Sequence, residues 1–100
     1  MSVSYQYLPQ QQQLNISVTG SLNFSKVDKF RDIYAQVTSA EQVIIDLEAT
    51  DIIDTSGLGI LLYLKRHYNC DRSCVKLINC NNTVHKTFNM AQFQKLFSYS

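Results

Sequence analysis

Asp54, Thr55, Ser56 and Gly57 put a carboxylate, two hydroxyls and a glycine between two apolar segments. The Val/Ile-rich run "QVIIDL" lies upstream, and a leucine-rich run begins at Leu58. If a loop turns into a helix at Ser56, its hydroxyl stands beside backbone N–H groups that lack partners inside the helix. It also stands at the positive end of the helix dipole. Those donors would hold an oxyanion or a phosphate carried on Ser56, and Gly57 and Gly59 would keep the approach free of side chains. A plain structural role fits the same residues: Thr55 or Ser56 as an N-cap, with the glycines allowing close helix–sheet packing.

Other chemistries fail on spacing. An esterase elbow needs G-x-S-x-G, but Asp54 and Leu58 stand where its glycines belong. A phosphate-binding P-loop needs a Lys after the glycines, and none follows. Gly57-Leu58-Gly59 runs into Ile60 and Leu61 and is not a dinucleotide fingerprint. His67 and His85 fall in other helices, so a Ser-His-Asp triad has no support. Asp46, Glu48, Asp51 and Asp54 read as solvated loop carboxylates that could help position a partner's metal-nucleotide; no metal site or cofactor is expected within the chain itself.

The elements that must hold this turn follow from periodicity. Residues 3–8 alternate as a half-buried strand, Pro9 opens a polar turn, and Leu14, Ile16 and Val18 mark one face of a second, antiparallel strand. Val27, Phe30, Ile33, Tyr34 and Val37 recur at helical spacing, with Ser25 and Asp28 resembling a capping box. The run 42–47 suggests a central strand covered on both faces, followed by a loop over 48–56. The helix after it would bury a stripe of Leu58, Leu61, Leu62, Lys65 and Tyr68, with the Lys65 alkyl stem laid along it and Leu64 widening it. Residues 74–79 form another strand; Asn82 would cap a helix with Val84, Phe88 and Met90 inward; Phe93, Leu96 and Phe97 would close the core. The order is β-β-α-β-α-β-α-α, an α/β fold whose mixed sheet is mostly parallel with an antiparallel edge hairpin. Loops beyond the carboxyl ends of such strands usually carry function. The segment 48–56 lies there, and so does the one after Val18, with Gly20, Ser21 and Asn23, if the second strand runs parallel to the third.

One hundred residues suit a single domain over 1–100, and 45% hydrophobic with 17% charged residues is enough apolar material for one core. The net charge of +1 comes without a basic block, which argues against nucleic acid or an anionic membrane as the main partner. Cys70, Cys74 and Cys80 read as reduced thiols rather than a disulfide framework or zinc site. The longest apolar run, Ile60 to Leu64, is too short to span a bilayer, and no signal-peptide pattern opens the chain, so a cytoplasmic location without membrane insertion is expected.

The segment "VIIDLEATDIIDTSGLGILLYL" resembles the signature of STAS domains of the bacterial anti-sigma factor antagonist type. That signature is a strand ending in Asp-Leu, a loop, Asp-[Ser/Thr]-Ser-Gly-Leu, and a leucine-rich helix. "VTGSLNFSKVDKFRDI" and "VKLINCNNTVHKTFNMAQFQKLF" resemble the family's flanking elements, so nearly the whole chain is covered. The resemblance implies a small sheet with helices packed on one side. It also implies a phosphorylatable serine at the start of the second helix, at Ser56 by motif position. Asn23, Asp54, Thr55, Gly57 and Leu58 would surround it as partner-binding residues. Many members carry Asp where this chain has Asn23, which keeps hydrogen bonding but loses a charge. The implied function is a non-enzymatic partner switch. The unmodified domain binds a serine kinase with anti-sigma-type activity, phosphorylation releases it, and a PP2C-type phosphatase restores it. The alternative is a constitutive STAS assembly subunit of a transport or other complex, indifferent to Ser56. Ligand or nucleotide binding at 54–57 is disfavoured because no basic residue adjoins that loop in sequence.

Overall fold

A computed structural model describes residues 3–69 and 74–100. In chain order the elements are β1 (Val3–Leu8), β2 (Gln13–Val18), β3 (Gly20–Leu22), α1 (Val27–Gln36), β4 (Gln42–Asp46), β5 (Thr50–Ile53), α2 (Thr55–His67), β6 (Val75–Ile78), α3 (Asn82–Met90) and β7 (Ser98–Tyr99). Short 3-10 turns precede α1 (Phe24–Lys26) and follow α3 (Phe93–Lys95). The main sheet has the order β1-β2-β4-β6-β7, and β3 and β5 form a separate two-stranded ribbon. Among the described residues, only the β1–β2 hairpin is antiparallel in the main sheet, with Val3 opposite Val18; the other pairs are parallel. The expected mixed, mostly parallel sheet is therefore present.

Alternation along the parallel strands decides where the helices go. Leu14, Ile16, Val43, Ile45, Val75 and Leu77 are buried and belong to one apolar cluster with Phe30, Leu61 and Phe88 of the helices. Their neighbours Asn15, Ser17, Ile44, Asp46 and Lys76 are half-buried or exposed. The helices thus cover one face of the sheet. The Val/Ile run at 42–47 is not covered on both faces as expected: period-two geometry turns Ile44 to the open side.

Further corrections follow from strand pairing, packing and thiol chemistry. The span 48–56 is not all loop, because β5 pairs in parallel with β3. The buried stripe of α2 is Gly57, Ile60, Leu61 and Leu64, continued by Tyr68, while Leu62 is 42% exposed. Met90, at 85% exposure, points out of the core, and Leu96, at 38%, is also exposed, leaving Phe93 and Phe97 to close it. Among the thiols, Cys74 is disulfide-bonded rather than reduced. Cys80 is free, and burial pushes its pKa up to about 11. Cys70 lies outside the described residues. Among the described residues no helix is long and apolar enough to cross a membrane.

Candidate functional site

The site is built on the β3–β5 ribbon. Gly20 takes φ of 85°, a conformation that strains side-chain-bearing residues, and so turns the chain from β2 into β3. Its N–H donates to the Ala49 carbonyl at 2.9 Å, and the buried Thr50 hydroxyl donates to the Val18 carbonyl at 2.8 Å. These bonds fix the ribbon to the end of β2. Leu22 then pairs with Ile53. The residues that follow them, Asn23 and Asp54, leave the ribbon side by side.

Asp54 is the N-cap of α2. One carboxylate oxygen, Oδ1, accepts the Gly57 N–H at 2.9 Å and the Ser56 hydroxyl at 2.7 Å. The cap is neither Thr55 nor Ser56: a carboxylate one residue earlier reaches the free N–H of Gly57, as a cap should, and takes the Ser56 proton as well. These bonds, the Ser56 hydroxyl first and the Gly57 N–H second, hold the Asp54 carboxyl below its ordinary pKa of 3.8. Thr55 and Ser56 are exposed on the first turn, and Leu58 is half-buried against the core.

Gly57 is buried because α2 lands directly on β3. A Cβ there would collide with the Leu22 carbonyl oxygen and come within 2.9 Å of the Ile53 side chain. The Asp54 N–H also donates to the Leu22 carbonyl, at 3.4 Å. Asn23 is half-buried and caps the 3-10 turn: its Oδ1 accepts the Ser25 N–H at 3.0 Å and the Ser25 hydroxyl at 2.6 Å. This corrects the expected Ser25–Asp28 capping box, since Ser25 is held by Asn23 and α1 starts two residues later. Asn23 and Ser56 are therefore parts of one surface, joined through Leu22.

Residues outside the motif also shape the site. Asn81, not Asn82, caps α3 by accepting the Val84 N–H at 2.8 Å. Its amide donates to the carbonyls of Thr50 and Asp51 at 3.0 and 3.2 Å, tying α3 to β5. Lys26 is buried with its Nζ 2.6 Å from the Ser21 carbonyl, bracing β3 from the α1 side. Phe24 and Ile52 flank the ribbon end at 75% and 50% exposure, apolar surface that no periodicity marks. A groove of about 310 Å³ opens between α1 and α2, with Arg31 and Tyr34 on one wall and Ser56, Gly59, Ile60 and Tyr63 on the other. The one sequence signal for it was Gly59.

The histidines lie elsewhere. His67 stacks on Tyr34 with ring centroids 4.5 Å apart, at the far end of α2. His85 on α3 packs edge-on to Tyr99 at 5.2 Å. Among the described residues no group of three or more His, Cys, Asp or Glu could hold a metal ion.

The STAS domain family model matches residues 7–100. A STAS-domain containing protein of Pseudomonas aeruginosa is 32% identical over 90 residues, covering 89% of each chain. Two solved structures share the fold. An anti-sigma factor antagonist from Mycobacterium paratuberculosis superposes with a TM-score of 0.75 at 16% identity, over 98% of this chain and 85% of that one. The Bacillus cell fate determinant SpoIIAA in its phosphorylated form superposes with a TM-score of 0.63 at 19% identity, over 97% and 91%.

Proposed function

The chain belongs to the STAS-domain family, and on that footing we propose that it is a cytoplasmic, non-enzymatic partner-switch protein controlled by reversible phosphorylation of Ser56. Its partner in this reading is a serine kinase of anti-sigma type, and a PP2C-type phosphatase resets it. The observation that carries the proposal is the exposed Ser56 hydroxyl on the first turn of α2, donating to the capping carboxylate of Asp54 at 2.7 Å. That bond occupies the hydroxyl proton and leaves the Oγ lone pairs available on an exposed residue. The fold shared with SpoIIAA, a protein known in a phosphorylated form, supports the same reading.

The physical effect of the modification follows. A phosphate adds about −1.5 to −2 charge, which would reverse the net charge of +1. The hydroxyl–Asp54 bond is lost and two anions become neighbours, but the Gly57–Asp54 cap remains. The domain stays folded and its surface changes. A partner covering Ser56 together with Phe24 and Ile52 would have to strip water from a dianion, a cost that releases it.

Pull-downs with wild type, Ser56→Ala and Ser56→Asp, with phosphate mapping by mass spectrometry, test this. Capture of a kinase-type partner by wild type and Ser56→Ala, its loss with Ser56→Asp, and phosphate on Ser56 are expected. Identical partners for all three forms with no phosphate on Ser56 would overturn it in favour of a constitutive assembly role.

A further inference from the structure

Resting on the reading of Ser56 as phosphoacceptor, we propose that Arg31 of α1 is the internal clamp for that phosphate, binding it across the groove between α1 and α2. Arg31 and Ser56 line the same groove from opposite walls. Tyr34 packs beside Tyr63 and His67, with ring centroids 5.5 and 4.5 Å away, and Val27 of α1 and Ser56 of α2 line the groove as well. Helical side chains lean toward the N-terminus of their own helix. The long Arg31 side chain therefore leans toward the end of the groove that Val27 and Ser56 line.

The space beside Gly59 is open, since a Cβ there would meet nothing within 4 Å. Arg31 is also weakly committed. Its ion pair is with Asp28 at 3.7 Å, and the two side chains are 75% and 91% exposed. An exposed pair of this kind contributes little, whereas a guanidinium on a phosphate gains paired, charge-assisted hydrogen bonds. In the unmodified protein the groove is open to a partner's side chain. In the phosphoprotein the Arg31–phosphate bridge spans its mouth and ties α1 to α2. Phosphorylation would thus act by closing a groove as well as by adding charge.

The test installs phosphoserine at position 56 by genetic encoding, so that no kinase is needed. The second ionisation of the phosphate is then followed by 31P NMR in wild type, Arg31→Gln, Arg31→Lys and Asp28→Asn. The free group titrates near pH 6. Arg31→Gln is expected to raise that pKa relative to wild type by about half a unit to one unit. Arg31→Lys should recover part of the difference, and Asp28→Asn should lower the pKa further by freeing Arg31. In the unmodified protein Arg31→Gln should leave Tm within about 2 °C. Identical titrations in wild type and Arg31→Gln phosphoprotein would overturn the clamp while leaving Ser56 phosphorylation intact. Absence of phosphate on Ser56 from cells would instead remove the functional reading, whatever the NMR result.

Discussion

The hydroxyl of Ser56 and the carboxylate of Asp54 form one unit: the oxygen that caps α2 also accepts the serine proton, at 2.7 Å. Helix initiation and the exposed Ser56 hydroxyl thus depend on the same atom. Ser56→Ala removes the larger cause of the low Asp54 pKa. Carboxyl-detected NMR titration should find the Asp54 pKa higher in Ser56→Ala than in wild type. An unchanged titration would mean that the hydroxyl bond is absent in solution.

The same carboxylate gives stability a defined acid dependence. The folded-state pKa of Asp54 is depressed, so its contribution is present above the unfolded value of 3.8 and is lost as pH falls through the folded value. Asp54→Asn keeps a capping side chain without the titrating proton. Urea unfolding between pH 5 and pH 2 should therefore show a shallower decline for Asp54→Asn than for wild type.

The two glycines of the α2 start should respond oppositely to alanine. Gly57→Ala forces a Cβ onto the Leu22 carbonyl and should destabilise by about 1–3 kcal/mol or more. Gly59→Ala meets open space inside a helix and should stabilise by up to about 1 kcal/mol. Paired denaturant melts check both, and equal effects would contradict the close approach of α2 to β3.

Tyr68 supplies an alkaline counterpart. Its hydroxyl donates to the Val37 carbonyl at 2.8 Å. Burial first, then the Tyr5 phenol, pushes its pKa up to about 12. A raised pKa means stability is fully present below the ordinary value of 10.0 and is lost as pH rises through about 12. Burial acts on Tyr34 in the same direction. Tyr68→Phe should cost about 0.5–1.5 kcal/mol at neutral pH and flatten the loss above pH 10, measured by unfolding at stepped pH.

Asn81 links α3 to the ribbon under the site. Asn81→Ala loses a cap and two bonds to β5 carbonyls, an expected cost of about 1–2 kcal/mol. Amide exchange should quicken at Thr50 and Asp51 as well as in the first turn of α3. Exchange confined to α3 would mean that the tether is not formed.

The long-period features were legible in the chain. Val27, Phe30 and Ile33 at helical spacing, and Leu14, Ile16 and Val18 in alternation, gave the right elements because burial repeats along them. The β3–β5 ribbon was not legible, since β3 and β5 hold three and four residues, too few for alternation to stand out. The caps were displaced by one or two residues each time. Runs such as Asp54-Thr55-Ser56 and Asn81-Asn82 contain several competent side chains, and the direction from which the chain enters the helix selects one. Around the candidate site, the Ser56 turn was visible as a motif. Arg31, Phe24 and Asn81 were not, because their place beside it exists only after folding.

The seating of Gly57 on Leu22 has a consequence for how domains proposed to act as switches stay separate. Asn23 and Ser56 stand far apart in the chain, yet the contact freezes them into a single two-part address. In the proposed reading, a receptor that engages the helix start at Ser56 also meets the turn at Asn23 and Phe24. On the proposed function, substitutions in that turn could retarget the domain to a new receptor without touching Ser56, so duplicated copies could diverge into insulated circuits on an unaltered chemical core.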